Sequence, residues 1–130
     1  MNILIVEDDD NIANVVSEIL QAREFETVLC DTGSQAVELI KNNMYDLILL
    51  DVMLPGLDGF QVMQKIAYRR IPVIFMTARQ DIKDRLYGFE LGAEDYITKP
   101  FNIMELLARI EVVLRRNNKP VSYTHLTLPT

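Results

Sequence analysis

Five short apolar runs punctuate the chain: Ile3–Val6, Thr27–Cys30, Leu47–Leu50, Val73–Met76 and Tyr96–Thr98. They are rich in Val, Ile and Leu and lack polar alternation, the pattern of strands covered on both faces. Between them, apolar residues recur at three- and four-residue steps, the period of a helix. Ile12, Val15, Val16, Ile19 and Leu20 form the first stripe, and Ala36, Ile40 and Met44 the second. Ile82, Leu86 and Phe89 form the fourth, and Ile103, Leu106, Leu107, Ile110 and Leu114 the last. The third helix carries Val62 and Ile66, with Asp58 placed to cap it. Pro72 opens the fourth strand, where its missing N–H is tolerated. The short stretch from Ile66 to Pro72 predicts a shortened or distorted helix end.

Strands alternating with helices predict an α/β fold. The expected form is a doubly wound five-stranded parallel sheet with five helices, joined by right-handed crossovers. Ligands of such sheets bind beyond the carboxyl ends of the strands. Those ends hold Glu7-Asp8-Asp9-Asp10, Asp51, Thr77-Ala78 and Lys99-Pro100.

Each of these residues has an ordinary explanation when taken alone. Asp9 or Asp10 reads as a helix cap or turn former, Thr77 as a cap, and Lys99-Pro100 as turn punctuation. Their joint occurrence at four strand ends points to chemistry. Neighbouring carboxylates repel, and one would normally take up a proton. A hard divalent cation removes that conflict, and Mg²⁺ takes one or two carboxylates plus a phosphate oxygen. Asp8 and Asp51 suit that arrangement. Lys99 can balance phosphoryl charge, Thr77 can donate a hydrogen bond, and an aspartate so placed can be phosphorylated.

Composition narrows the picture. Apolar residues make up 49% and charged residues 25% of the 130-residue chain, as expected of one globular domain. The net charge of −6 argues against this domain gripping nucleic acid by itself. Cys30 is the only cysteine and sits in an apolar run, so it reads as a core residue in a reducing compartment. No apolar stretch approaches the roughly 20 residues of a membrane span. The start of the chain shows no targeting signal, and a cytoplasmic location is expected.

From Met1 to about Arg116 the sequence resembles a response-regulator receiver domain, CheY-like in fold. The segments that carry the resemblance are Ile5-Val6-Glu7-Asp8-Asp9, Leu49 to Gly56, Met76-Thr77-Ala78 and Tyr96 to Phe101. The resemblance implies that Asp51 is the phosphoacceptor, fed by a sensor histidine kinase. It implies that Glu7, Asp8, Asp51 and the Met53 backbone carbonyl hold Mg²⁺. Thr77 and Tyr96 become the switch pair, Lys99 the phosphate contact, and the Lys99–Pro100 bond cis. The protein is then a self-phosphorylating and self-dephosphorylating switch rather than an enzyme. Apolar Met53 cannot orient a water, so slow self-dephosphorylation is expected.

The run Asp95 to Phe101, then Glu105 to Arg109 and Arg115-Arg116, resembles the OmpR/PhoB transcription regulators. That implies a homodimer on phosphorylation, formed through the fourth helix, fifth strand and fifth helix. Arg85 would pair with Glu105, Asp95 with Arg109 and Glu94 with Arg116, each twice across a two-fold axis. DNA would be reached only through a C-terminal domain absent from this sequence. Residues 1–116 are read as the receiver, and 117–130 as the start of a linker and a non-native tail. The tail from Val121 resembles a frame of a sequencing-library adapter. A stand-alone receiver acting by protein binding is the alternative. A haloacid-dehalogenase-type phosphatase fits poorly, because Met53 occupies the place of its second acid. A flavodoxin-like cofactor domain lacks its phosphate loop.

Overall fold

The computed structural model describes residues 1–117; the expected tail lies outside the described residues. Strands β1 (Asn2–Val6), β2 (Glu26–Cys30), β3 (Leu47–Leu50), β4 (Val73–Thr77) and β5 (Asp95–Thr98) alternate with five helices. These are α1 (Asp10–Ala22), α2 (Gly33–Asn42), α3 (Gly59–Ile66), α4 (Ile82–Glu90) and α5 (Ile103–Arg116). All strand pairs are parallel, in the order β2-β1-β3-β4-β5. The chain order reverses between β1 and β3, and the residues after those two strands lie side by side there.

Period-2 geometry sends alternate strand residues to opposite faces. Leu4, Val6, Ile48, Leu50 and Phe75 pack with Ala36 and Ile40 of α2 and Val62, Met63 and Ile66 of α3. Ile3, Ile5, Leu47, Leu49, Ile74 and Met76 pack on the other face with α1 and α5. Local chemistry sets the helix starts. Asp9 accepts from the N–H groups of Asn11 and Ile12, and Asp58 forms a reciprocal capping box with Gln61.

Three expectations about burial need correction. β2 is an edge strand, so Val28 and Leu29 are substantially exposed. Met44 falls beyond α2, which stops at Asn42, and is exposed. In α4 the expected inward stripe of Ile82, Leu86 and Phe89 faces outward, and Gly88 is the one buried residue of that helix. Gly88 is where α4 approaches the sheet. A Cβ there would lie 3.2 Å from both the Phe75 and Tyr96 rings, which fill the space an aliphatic stripe would need.

The short α3–β4 connection is distorted as expected. A 3-10 turn spans Ala67–Arg69, and Arg70 adopts a left-handed conformation with φ 56°. This turn delivers Arg69 to the end of α2, where its guanidinium donates to the carbonyls of Ile40, Lys41 and Asn43. These are carbonyls that a helix terminus leaves unpaired. Arg69→Ala is therefore expected to lower stability by about 1–2 kcal/mol, read as a reduced urea midpoint with unchanged slope. No change in midpoint would show that water replaces the guanidinium without cost.

Candidate functional site

The carboxyl ends of β1 and β3 set Glu7, Asp8 and Asp51 together, because Val6 and Leu50 are register partners. One carboxylate oxygen from each lies within 4.8 Å of the others. Glu7 and Asp51 are buried, whereas Asp8 is exposed. The loop after β5 brings in Lys99, whose Nζ lies 2.8 Å from Asp51 Oδ2 and 2.6 Å from Glu7 Oε1. Its position is held by its own N–H donating to the Thr77 carbonyl, and the Lys99–Pro100 bond is cis.

Asp51 Oδ1 accepts from the Met53 N–H at 2.9 Å, which places the Met53 backbone at the site while its side chain points to solvent. Glu7 Oε2 accepts from the Asp9 N–H. Glu7 Oε1 is buried without a directed hydrogen bond, and its contact with Lys99 is one of charge and proximity. A buried carboxylate oxygen whose neighbour is the Lys99 ammonium, beside two more carboxylates, is a hard-donor set suited to a divalent cation.

Electrostatics agree with this geometry. Burial pushes the Glu7 pKa up to about 7, with Lys99 and the Asp9 N–H pulling the other way. Burial opposes the charge on Lys99, but its hydrogen bond to Asp51 and its close charge contact with Glu7 outweigh it and raise its pKa. In metal-free protein, a carboxyl pKa raised above 4.5 favours the folded state at acid pH. That contribution is lost as pH rises through about 7. Glu7→Gln with a chelator is thus expected to raise Tm at pH 8 and to leave it nearly unchanged at pH 5. An equal shift at both values would show that the charge on Glu7 is not the cause.

Thr77 ends β4, is fully buried, and accepts the Arg79 N–H through its hydroxyl at 3.3 Å. Tyr96 is buried in β5, and its hydroxyl donates to the Arg79 carbonyl at 2.8 Å. Burial pushes the phenol up to about 12, so it stays a donor. The remaining expected residues gather on the outer face of β5 and α5. Arg109 pairs with Asp95 and Glu105, both at 2.9 Å, and Arg116 with Glu94 at 3.3 Å. These pairs form within the chain. Arg85 lies exposed on α4.

Two residues were not singled out by sequence. Gln80 donates to the Lys99 carbonyl at 3.0 Å, and Asp84 pairs with Arg79 at 2.8 Å. The five-residue separation of Arg79 and Asp84 spans a helix start, which no periodicity marks. Cys30 is buried, and burial lifts its thiol to about 12, an inert core group.

Residues 3–111 match the response regulator receiver domain family. The chain is 42% identical over 126 residues to the probable transcriptional regulator ycf27 of Guillardia theta, covering 96% of this chain and 50% of that protein. It is 44% identical over 118 residues to the transcriptional regulatory protein RprY of Bacteroides fragilis, covering 89% and 50%. The chain thus spans about half the length of these curated relatives. Among solved structures, it is similar to the receiver domain of the sensor histidine kinase PA1611 from Pseudomonas aeruginosa, which has a magnesium ion coordinated in its active site cleft. That likeness has a TM-score of 0.80 at 33% identity and covers 88% of this chain and 97% of that one.

Proposed function

The chain belongs to the response regulator receiver domain family, and from that premise we propose that it is a phosphorelay switch with Asp51 as its phosphoacceptor. The observation that carries the reading is Lys99 Nζ, held 2.8 Å from Asp51 and 2.6 Å from Glu7 at the mouth of a carboxylate cluster. Asp51 attacks the phosphorus of a phosphohistidine on a sensor histidine kinase. The new P–O bond forms as the donor P–N bond breaks, and the leaving imidazole takes a proton from solvent. The Met53 N–H keeps the Asp51 carboxylate aligned. Lys99 balances the charge that arrives, and Thr77 offers its hydroxyl. Mg²⁺ held by Glu7, Asp8, Asp51 and the Met53 carbonyl would neutralise charge and polarise the phosphoryl oxygens.

The donor needs a docking surface next to Lys99. An apolar groove of about 540 Å³ lies there, lined by Ile12, Val15, Val16, Phe101 and Ile103 and walled by Lys99 itself. An amphipathic helix of the kinase would seat its apolar face in that groove. The setting is then cytoplasmic, since the donor domain and this domain must meet.

The output surface is α4, β5 and α5. Ile82 and Leu86 are exposed on α4, and Phe89 lines a groove with Asp95, Glu105, Arg109, Val112 and Arg116. On phosphorylation this face would form a homodimer, with Glu94, Asp95, Glu105, Arg85, Arg109 and Arg116 exchanging partners across the axis. A further domain, as in the longer transcriptional relatives, would then act on DNA. A second reading, a receiver that acts alone by binding another protein, is favoured by the Arg109–Asp95 and Arg116–Glu94 pairs. They satisfy those charges without a second copy.

The test is incubation with acetyl phosphate and Mg²⁺, followed by intact mass and light scattering. One phosphoryl group gained, and lost with a chelator, is the expected result. Dimers appearing with it favour the first output, and a phosphorylated monomer the second. Folded protein without mass gain would overturn the switch chemistry.

A further inference from the structure

The last turn of helix α4 is fastened to the fold, with Tyr87 edge-on against Phe60 at 4.9 Å and accepting from Gln64 at 2.9 Å, whereas its first turns have fewer ties. Its N-cap residue, Asp81, makes no side-chain capping bond, and Gly88, in its last turn, is its one buried residue. The start of the helix is tied to the sheet through one residue, Arg79, in the loop that leaves β4. The Arg79 guanidinium pairs with Asp84 in the first turns of α4, with Nε at 2.8 Å and Nη2 at 3.4 Å. The same residue takes the Tyr96 hydroxyl on its carbonyl and gives its N–H to Thr77. Asp84 is mostly shielded, and its bond holds Arg79 more firmly charged than usual.

We propose that the Arg79–Asp84 ion pair is the mechanical tie that makes α4 follow Thr77 and Tyr96 when Asp51 is phosphorylated. The proposal rests on the phosphoacceptor reading above. A Thr77 hydroxyl that turns to a phosphoryl oxygen gives up the Arg79 N–H. The loop is then free to shift, and Tyr96 shifts with it through the Arg79 carbonyl. Any displacement of Arg79 is passed to the first turns of α4 by the bidentate contact with Asp84. Without that contact, the loop would rearrange while α4, held in its last turn by Gly88 against Phe75 and Tyr96 and by Tyr87 against Phe60 and Gln64, kept its place. Gln80 fastens the other side of the loop to the Lys99 carbonyl, so the loop pivots instead of detaching. Asp84 is thus a positioning residue for the output face and has no part in the transfer itself.

The experiment compares wild type, Asp84→Ala, Asp84→Asn and Asp84→Glu under saturating acetyl phosphate and Mg²⁺. Intact mass reports phosphorylation, and amide chemical shifts report Thr77, Tyr96 and residues 82–90 separately. Wild type should show shifts in all three. The Ala and Asn variants should gain one phosphoryl group and shift at Thr77 and Tyr96, yet lose more than half of the α4 response. Asp84→Glu, which keeps the charge, should recover most of it. A full α4 response in both the Ala and Asn variants would overturn the tie. Absence of phosphorylation in wild type would overturn the phosphoacceptor reading, and the tie with it.

Discussion

Asp51→Asn is expected to gain no phosphoryl group under conditions that fully modify the wild type. Loss of a covalent nucleophile costs roughly a thousandfold or more in rate. The substitution is close to isosteric, and an amide oxygen at Oδ1 can still accept the Met53 N–H now donated at 2.9 Å. Lys99 keeps Glu7 as a partner at 2.6 Å. Removing the Asp51 charge also removes one of the influences that raise the Glu7 pKa, so less charge repulsion remains in the cluster. The variant should therefore fold, and its failure to react would report chemistry alone. Intact mass with a thermal melt checks both. A folded Asp51→Asn protein that still gains the group would move the acceptor to Asp8 or Glu7.

Gly59→Ala should cost about 3 kcal/mol, opposite in sign to the usual gain of roughly 1 kcal/mol for alanine over glycine in a helix. A Cβ at Gly59 would lie 2.3 Å from the Asp51 carbonyl oxygen and 2.7 Å from the Val52 Cα. Those are backbone atoms, so no rotamer change relieves the overlap. One way out moves the start of α3, weakening the 2.8 Å bond from the Gly59 N–H to the Val52 carbonyl. The other moves Asp51 itself, so phosphorylation should slow along with the loss of stability. Gly33→Ala is the comparison. Its Cβ would meet the Leu57 carbonyl oxygen at 2.3 Å, away from the carboxylates, so it should destabilise without slowing the reaction of the folded fraction. Urea midpoints and phosphorylation rates separate the two. A Gly59→Ala protein as stable and as fast as wild type would show that the α3–β3 approach has slack.

Much of the fold is legible in the chain itself. Unbroken apolar runs marked β1, β3 and β4 because both their faces are covered. Asp9 and Asp58 marked helix starts because capping is a local affair of three or four residues. Asp8, Asp51, Thr77 and Lys99 stood at strand ends, and a parallel sheet must bring its strand ends to one edge. Glu7 was harder. Its place came from family resemblance, since nothing local separates a buried carboxylate from its exposed neighbours Asp8 and Asp9. Burial depends on the strands to either side, and those are contributed by distant parts of the chain.

The same limit explains where burial departs from the periodic pattern. A 3.6-residue period shows that Ile82, Leu86 and Phe89 share a face, but not which way that face turns. The direction was settled by Phe75 and Tyr96, whose rings occupy the space over β4 and β5 and admit only Gly88. Val28 and Leu29 are exposed because β2 lies at the sheet edge, a matter of strand order. Arg69 reaches α2 across 26 to 29 residues, and Arg79 meets Asp84 across a loop, where no repeat announces a partner. The elements, their caps and the chemical groups at the strand ends are already written in the chain, because local period and local hydrogen bonding set them. Which carboxylate is buried, which way α4 faces and which charges pair emerge on assembly, because those depend on what distant segments leave room for.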